Sequence, residues 1–163
     1  MDSLRQVTIT SGGQTGADRA ALDFAIERGL AHGGWCPCGR LAEDGPIDAR
    51  YQLRETPSRR YAERTEWNVR DSDATVVFTI NSIATGGTAL TIEIAERLGR
   101  PLLHLARTAD EPVDLSARKF LEFLIEYRVQ TLNVAGPRAS QEPEIAEFVR
   151  SVLRAAWDTE IAS

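Results

Sequence analysis

Apolar residues along the chain fall into two patterns that alternate. Short continuous apolar runs, several of them β-branched, predict buried strands at 6–10, 74–80, 101–106 and 131–136. Apolar residues spaced three to four positions apart predict helices at about 15–29, 58–72, 89–99, 114–128 and 143–157. Strands that alternate with helices are typical of a mostly parallel sheet. The pattern therefore predicts an α/β fold: a doubly wound, mostly parallel sheet with helices on both faces.

Residues that favour helix ends mark several of these boundaries. Ser58, which follows a proline, and Asp114 are predicted N-caps, Gly29 is a predicted C-cap, and Pro143 fits the first turn of the last helix. Between the first two helices, the segment 31–58 is rich in glycine, proline and charged residues. It predicts a long irregular loop, and such loops often carry function.

Two glycine-rich turns each follow a predicted strand and precede a predicted helix. The first, SGGQTG, begins at Ser11, and the second, ATGGT, spans 84–88. Glycines let a ligand approach the backbone, and the first amides of a helix attract anions, to which Ser11 or Thr15 could add a hydroxyl donor. Each turn alone is equally compatible with a tight turn that needs a positive φ. Because the carboxyl ends of parallel strands share one edge, the two turns together predict an anion pocket there.

Two further groups of residues are candidates for ligand contacts. Arg64 and Trp67 lie on one face of the second helix, where Arg64 could clamp a phosphate and Trp67 could stack on a ring. The alternatives are a salt bridge for the arginine and a core position for the tryptophan. The loop GGWCPCGRLAEDG adds Trp35 and Arg40 as candidates, and the alternative there is an ordered loop with a buried tryptophan.

The composition narrows the class of protein. The 163 residues fit one domain, 1–163, with 42% apolar and 26% charged residues, as in soluble globular proteins. A formal net charge of −5 without a basic cluster argues against nucleic acid or an anionic membrane as a partner. No apolar stretch is long enough to span a membrane, and residues 1–10 do not resemble a secretion signal. A cytoplasmic protein is therefore expected.

Metal sites and disulfides are not expected. Cys36 and Cys38 stand one residue apart, a spacing that suits neither a disulfide nor a complete zinc site, and the chain has only two histidines. Free thiols in a reducing compartment are expected instead. No Ser/His/Asp or Cys/His triad is recognisable in the sequence, because each histidine lies among apolar residues.

Five blocks of the sequence, in order, resemble one known family. They are SGGQTGADRAALDFA, GGWCPCGRLAEDGPI, YAERTEWNVRDSDATVVF, GGTALT and LNVAGPRASQEPEI, and together they run from about residue 7 to residue 150. The family is that of the molybdenum carrier proteins, relatives of the molybdenum cofactor carrier proteins. The resemblance implies a Rossmann-like fold, shared with lonely-guy phosphoribohydrolases and DNA-processing protein A, an anion pocket, and often a homo-oligomer. Cys38 departs from the family, which usually has lysine there.

The resemblance also implies a ligand and its contacts. The ligand is the molybdenum cofactor or a related phosphate-bearing pterin or nucleotide, bound as cargo. Contacts to its phosphate, carried over residue by residue, fall on Gly12, Gly13, Gln14, Thr15, Gly86, Gly87 and Thr88. These residues, together with the candidates Ser11, Trp35, Arg40 and Arg64, form the predicted binding set.

The second glycine turn supports an alternative function as an enzyme. TGGTALTIE resembles the glycine turn of the lonely-guy phosphoribohydrolases, with Glu93 in the place of the catalytic glutamate, and Arg64 resembles their helical arginine. That resemblance implies cleavage of the N-glycosidic bond of a nucleoside 5′-monophosphate. Thr85 replaces the proline of the lonely-guy turn, and the second glycine of that turn is missing here, where Ala89 and Leu90 stand before Thr91. Because the match is incomplete, a carrier is the primary prediction. A ligand-sensing module that binds another protein is the third.

Overall fold

The computed structural model describes residues 4–163, which form seven strands and five α-helices after a 3₁₀ helix at Leu4–Gln6. The strands are β1 (Thr8–Thr10), β2 (His32–Gly33), β3 (Trp35–Cys36), β4 (Arg54–Glu55), β5 (Ala74–Thr79), β6 (Leu102–Ala106) and β7 (Thr131–Ala135). The helices are α1 (Ala17–Glu27), α2 (Tyr61–Arg70), α3 (Gly86–Arg97), α4 (Val113–Glu126) and α5 (Ile145–Ile161).

Five strands form one parallel sheet in the order β2-β1-β7-β5-β6. All six residues of β5 are buried, which accounts for its continuous apolar run, because both faces of this strand are covered. Helices α1 and α4 both pack against α5 on one face of the sheet, while α2 and α3 pack together on the other face. The predicted α/β fold, with a parallel sheet and helices on both faces, is confirmed.

The two faces of the sheet have unequal cores. The face under α1, α4 and α5 holds most of the buried apolar residues, including the edge-to-face pairs Phe24–Trp157 and Phe78–Phe148, whose ring centroids lie 5.2 and 5.7 Å apart. The opposite face has a small cluster around Val69. Full burial of a large apolar side chain contributes about 1.5–3 kcal/mol. The α1/α4/α5 face therefore provides most of the hydrophobic stabilisation.

Within the sheet, the strand order runs outward in both directions from β7. Strand β1 leads to β2 on one side, β5 leads to β6 on the other, and β7, the last strand in the chain, lies between β1 and β5. If β7 is counted as the first strand, the order becomes 3-2-1-4-5, as in doubly wound nucleotide-binding folds. The strand order therefore reverses direction at β7. Doubly wound sheets typically bind a ligand at the carboxyl ends of the strands around such a point, which here are β1, β7 and β5.

Two predicted N-caps are wrong. Helix α2 begins at Tyr61 rather than after Ser58, because Ser58 belongs to the preceding loop, where its carbonyl accepts a hydrogen bond from the amide of Cys38 at 3.0 Å. Helix α4 begins at Val113, so Asp114 lies in the first turn and is not the N-cap. In both cases the capping residue type is present but the backbone enters the helix at another position.

The segment 31–58 is less irregular than predicted. Strand β2 joins the edge of the main sheet, and β3 and β4 pair in parallel as a separate two-stranded sheet. Each of these strands has two residues, which is too short for an apolar period to show. Helix α3 begins at Gly86, so its glycines form the first helical turn instead of preceding it, and α5 begins at Ile145, two residues after Pro143.

Candidate functional site

At the carboxyl edge of the sheet, four segments line a cavity of about 170 Å³. They are the turn after β1 with the start of α1, helix α2, the start of α3 and the turn after β7. The polar side chains of the lining include Gln14, Asp18, Tyr61, Arg64, Thr88, Arg138 and Gln141. We call this space the arginine cavity, and it lies where the strand order predicts a ligand.

Two guanidinium groups and one carboxylate meet in the arginine cavity. Arg64 Nη1 lies 3.4 Å from Asp18 Oδ2, and these side chains are only 15% and 5% exposed. The Cζ atoms of Arg64 and Arg138 both lie over the ring of Tyr61, 5.6 and 4.6 Å from its centroid. Arg138 forms no ion pair with any residue of the described chain. The lining therefore carries one excess positive charge, which favours an anion.

Burial controls the protonation of the Asp18–Arg64 pair. Burial raises the pKa of Asp18 above its usual value of 3.8, and the charge of Arg64 is the largest opposing influence, followed by the hydrogen bond from the Gln14 amide. Burial likewise lowers the pKa of Arg64, opposed by Asp18, but a guanidinium stays protonated at neutral pH. Asp18 is therefore the group of this pair whose charge can respond to pH or to a ligand.

Two buried polar atoms of the lining have no hydrogen-bond partner among the described residues. Gln14 is 2% exposed, and its Nε2 donates to the Leu41 carbonyl at 2.8 Å, which leaves Oε1 without a donor. The Nε of Arg64 has no acceptor. An unpaired buried polar atom costs about 1–3 kcal/mol. Such atoms are rare in native proteins, and two of the four found within residues 4–163 belong to side chains that line the arginine cavity.

The N-terminus of α3 lies beside the same cavity. Gly87 and Thr88 line it, and Thr85, the N-cap, makes no side-chain hydrogen bond to the helix. The Thr88 amide donates to the Thr85 carbonyl at 3.2 Å, whereas the amides of Gly86 and Gly87 have no acceptor within residues 4–163. Free first-turn amides and the helix dipole both favour an anion at this end of α3.

A second cavity, of about 330 Å³, adjoins the first. Its lining includes Thr79, Asn81 and Thr85, and it shares Thr88 and Gln141 with the arginine cavity. We call it the threonine cavity. Together the two cavities provide more space than a single tetrahedral anion needs.

The glycine turn after β1, in contrast, is packed by the protein itself. The Gly13 amide donates to Ser11 Oγ at 3.3 Å, and that hydroxyl donates to the Asp18 carbonyl at 3.0 Å. A Cβ on Gly12 would lie 2.0 Å from Arg64 Nη1. Gly12 therefore leaves space for the guanidinium of the Asp18–Arg64 pair.

Three other predicted contact residues, Thr15, Trp35 and Arg40, contact other parts of the protein instead of a cavity. The Thr15 hydroxyl donates to a carboxylate of the 31–58 segment, and the Arg40 guanidinium donates to four backbone carbonyls between residues 47 and 53, at 2.7 to 3.5 Å. Trp35 packs edge-to-face on Trp67, with ring centroids 4.8 Å apart. These side chains organise the loop and its contact with α2.

The structure brings together only part of the predicted binding set. Four members line the arginine cavity: Gln14, Arg64, Gly87 and Thr88. Seven members line neither cavity: Ser11, Gly12, Gly13, Thr15, Trp35, Arg40 and Gly86. Glu93, the catalytic candidate of the alternative function, is exposed on α3 and is in neither lining. The part that each residue takes in binding stays a prediction.

Three important residues of the arginine cavity are absent from the predicted set. Arg138 belongs to the turn NVAGPRAS after β7, which contains a glycine at a strand end like the turns after β1 and β5, so the sequence carried a signal for it. Asp18 resembles an ordinary first-turn acid, and Tyr61 an ordinary helix residue. Their places in the cavity depend on the crossing of α2 over the turn after β1, which has no local signal.

A larger cavity, of about 610 Å³, lies at the opposite, amino-terminal edge of the sheet. Apolar side chains such as Val7, Leu124 and Val129 line much of it, and the carboxylate of Glu160 accepts hydrogen bonds from the Leu4 amide. Convergent polar groups, more than volume, distinguish a ligand site. The smaller arginine cavity is therefore the candidate site.

Within residues 4–163, no three His, Cys, Asp or Glu side chains are grouped so that they could hold a metal ion. Cys36, which is buried, and Cys38 are free thiols. Over the same described range, no helix has the length and apolar character needed to cross a membrane.

Comparisons with known proteins agree with the fold and its topology. The model of the circularly permutated YpsA SLOG family matches residues 9–157, so the chain belongs to this family. A circular permutation that moves the first strand of a doubly wound sheet to the end of the chain would give the central position observed for β7. The chain is also similar to the crystal structure of a "putative molybdenum carrier protein" from Syntrophus aciditrophicus SB: 44% identity, TM-score 0.88, covering 92% of this chain and 94% of the other. No curated protein matches.

Proposed function

We propose that this member of the circularly permutated YpsA SLOG family binds a small ligand by its phosphate group at the carboxyl edge of the sheet. The ligand is the molybdenum cofactor or a related phosphate-bearing pterin or nucleotide, which the protein carries as cargo. The observation that carries the proposal is the arginine cavity, where Arg64, Arg138 and the free amides of α3 outweigh the single carboxylate of Asp18.

The volumes of the two cavities support a ligand with two parts. At about 170 Å³, the arginine cavity is smaller than most sites that hold a whole small molecule. Sites for whole small molecules usually measure about 300–1,000 Å³. We therefore place the phosphate in the arginine cavity and the organic part in the adjoining threonine cavity of about 330 Å³.

The name of the similar crystal structure supports a molybdenum-related cargo. With no metal-ligating cluster among the described residues, the protein would hold the metal through its organic or phosphate-bearing carrier rather than by direct ligation. Cytoplasmic location and assembly into a homo-oligomer stay predictions from the sequence.

The alternative function, hydrolysis of a nucleoside 5′-monophosphate, has weaker geometric support. Its catalytic candidate, Glu93, lies outside both cavities, whereas Arg64 lies inside the arginine cavity. Incubation with AMP tests it directly: a carrier leaves AMP intact, while an enzyme releases free adenine and loses that activity in Glu93→Gln.

Cargo that co-purifies with the protein provides the main test. We expect native mass spectrometry of protein from its own host to show a phosphorylated pterin or nucleotide, and elemental analysis to show molybdenum if the cargo is the metal-loaded cofactor. Protein free of any phosphorylated ligand, which also fails to bind inorganic phosphate or AMP in calorimetry, would contradict the proposal.

A matched pair of arginine variants assigns the binding to the cavity. Arg138→Gln removes a cation that has no ion pair within the described chain, so we expect phosphate affinity to fall about tenfold or more. Arg107→Gln removes an arginine whose ion pair with Glu144 lies outside the arginine cavity, and we expect its affinity to match wild type. Equal losses in both variants would indicate a nonspecific charge effect.

A further inference from the structure

We propose that the arginine cavity selects an oxyanion that shares a proton with Asp18, so that phosphate and phosphate monoesters bind in preference to sulfate or free molybdate. This inference rests on the proposed function, because it concerns the anion subsite of the same ligand. It makes Asp18 the residue that determines which class of anion is accepted.

One carboxylate oxygen of the lining lacks a donor. Asp18 Oδ2 accepts hydrogen bonds from Arg64 Nη1 at 3.4 Å and from the Gln14 amide at 3.3 Å, whereas Oδ1 accepts none from the described residues. A ligand that completes the hydrogen bonding of Oδ1 must bring a hydrogen atom as well as negative oxygens for the guanidinium groups.

Tetrahedral anions differ in whether they meet this requirement. Sulfate and molybdate carry no proton at neutral pH, so they offer only acceptors and would place a negative oxygen against the free oxygen of Asp18. Hydrogen phosphate carries an O–H that can donate to that oxygen. A phosphate monoester, whose second pKa is about 6, can share one proton with a buried carboxylate beside it.

The charges of the cavity balance only when one proton is included. Arg64 and Arg138 contribute two positive charges and Asp18 one negative charge, so the lining has a net charge of +1. A dianion brings the total to −1, and one proton held between Asp18 Oδ1 and a ligand oxygen brings it to zero. No bond to phosphorus forms or breaks, and the proton comes from the ligand or from solvent.

Asp18 is the group in the lining that can take part in this exchange. The charged and titratable groups that face it are Arg64 and Tyr61 from α2, Arg138 from the turn after β7, and Arg19 from its own helix. No second carboxylate is in the lining formed by the described residues. Burial already raises the pKa of Asp18, and an anionic ligand acts in the same direction.

Calorimetric titration of the wild-type protein with inorganic phosphate and with sodium sulfate tests the inference. At about pH 7.5 we expect phosphate to bind at least about tenfold more tightly, since sulfate leaves Asp18 Oδ1 without a donor and places a negative oxygen against it. Sulfate affinity should rise as pH falls, by up to about tenfold per unit until Asp18 is protonated in the free protein. Titrations in two buffers of different ionisation enthalpy should show uptake of about one proton with sulfate and less with hydrogen phosphate.

Asp18→Asn identifies the residue responsible. An uncharged amide removes the repulsion, so sulfate affinity should increase, the phosphate-to-sulfate ratio should approach one, and the pH dependence of sulfate binding should disappear. Asp44→Asn is the matched control, because it removes a nearby exposed carboxylate that pairs with Arg19 and lies outside both cavities. That variant should keep the wild-type ratio.

The outcomes separate this inference from the function on which it rests. Equal affinities for phosphate and sulfate at every pH, without proton uptake, overturn the inference and leave an anion site in place. An unchanged ratio in a folded Asp18→Asn variant also overturns it. If neither anion binds the wild-type protein, or Arg138→Gln binds both as well as wild type, the inference and the proposed function both fail. Should Asp18→Asn not fold, the wild-type pH profile and proton count decide.

Discussion

The two glycine turns have nearly the same sequence signature but different surroundings. In the turn after β1, the missing Cβ atoms leave space that other protein atoms fill: a Cβ on Gly12 would meet Arg64 at 2.0 Å, and one on Gly13 would meet Leu53 at 2.4 Å. In the turn after β5, a Cβ on Gly86 or Gly87 would meet nothing within 4 Å. The same dipeptide thus serves packing in one turn and leaves backbone open in the other.

The amides of the two turns differ in the same way. Those of Gly13 and Gln14 donate to Ser11 and Asp18, whereas those of Gly86 and Gly87 have no acceptor within residues 4–163. Under the proposed function, the turn after β1 would act on the ligand indirectly, by positioning the charged side chain of Arg64, and the turn after β5 directly, through its free amides. Six substitutions, with Arg97→Gln as a control, test this difference.

Arg64→Gln should have the largest effect, because the turn after β1 is packed around this side chain. Loss of one partner leaves Asp18 as a buried carboxylate without its ion pair, which typically costs about 3–5 kcal/mol. Urea denaturation at about pH 7.5 measures the loss. Arg97→Gln, which removes an exposed ion pair with Glu66, is the control and should cost less than about 1 kcal/mol.

The loss in Arg64→Gln should depend on pH. Burial raises the pKa of Asp18 in the folded state above the unfolded value near 3.8, and removal of Arg64 raises it further. At pH values between the unfolded pKa and the folded pKa of Asp18, the folded protein binds more protons than the unfolded one. The free energy of unfolding therefore increases as pH falls through this range. The deficit relative to wild type should therefore shrink from neutral pH toward pH 4–5. A constant deficit would show that the Asp18 charge is not its cause.

Gly13→Ala and Gly86→Ala compare the two turns at positions that both have a positive φ, +72° and +55°. Alanine at such a φ costs about 1–2 kcal/mol in either turn. At Gly13 the new methyl also crowds Leu53, so we expect roughly 2–4 kcal/mol there and only the backbone cost at Gly86. Equal decreases in unfolding free energy would mean that the first turn is no more tightly packed than the second.

Gly12→Ala and Gly87→Ala compare positions without a positive φ. The methyl at residue 12 displaces the Arg64 guanidinium, so the affinity for inorganic phosphate should fall about tenfold. The methyl at residue 87 meets open space within a helix, so stability should stay the same or rise by up to about 1 kcal/mol. Calorimetry and thermal melting measure both. Retained affinity in Gly12→Ala would argue against indirect action of the first turn.

Glu93→Gln should have the smallest effect. This residue is exposed on α3, outside both cavities, so we expect unfolding free energy to change by no more than about 0.5 kcal/mol and phosphate affinity to stay at the wild-type value. Equilibrium denaturation and calorimetry measure the two quantities. A large loss of affinity would show that the second turn acts through this carboxylate and not only through its amides.

Several predictions from sequence are confirmed because they rest on local, repeated signals. The buried run of β5 and the 3.6-residue stripe of α5 identify elements without reference to the rest of the chain. The two-residue strands β2, β3 and β4 were missed because their pairing depends on long-range neighbours. Likewise, Ser58 has a capping side chain, but its carbonyl is bound by the Cys38 amide, so the helix begins later.

In the candidate site too, the residues with a local sequence signal were predicted, and the contacts that depend on distant neighbours were not. Gln14, Arg64, Gly87 and Thr88 were predicted and line the arginine cavity, because strand ends and helix starts carry a recognisable composition. Arg40 looked equally suitable, yet its guanidinium donates to backbone carbonyls of its own loop. Residue type shows what a side chain can bind, and only its neighbours show whether it is already bound.

By itself, the sequence determined the alternation of strands and helices, the absence of a block of lysine and arginine residues and the edge of the sheet at which ligands would be expected. These follow from local periodicity, composition and the parallel direction of the strands. Only the tertiary structure decided that β7 lies between β1 and β5, and that Asp18, Arg64 and Arg138 meet there. The physical reason is that a cavity is made by segments far apart in the chain, whose charges interact only once folding brings them together.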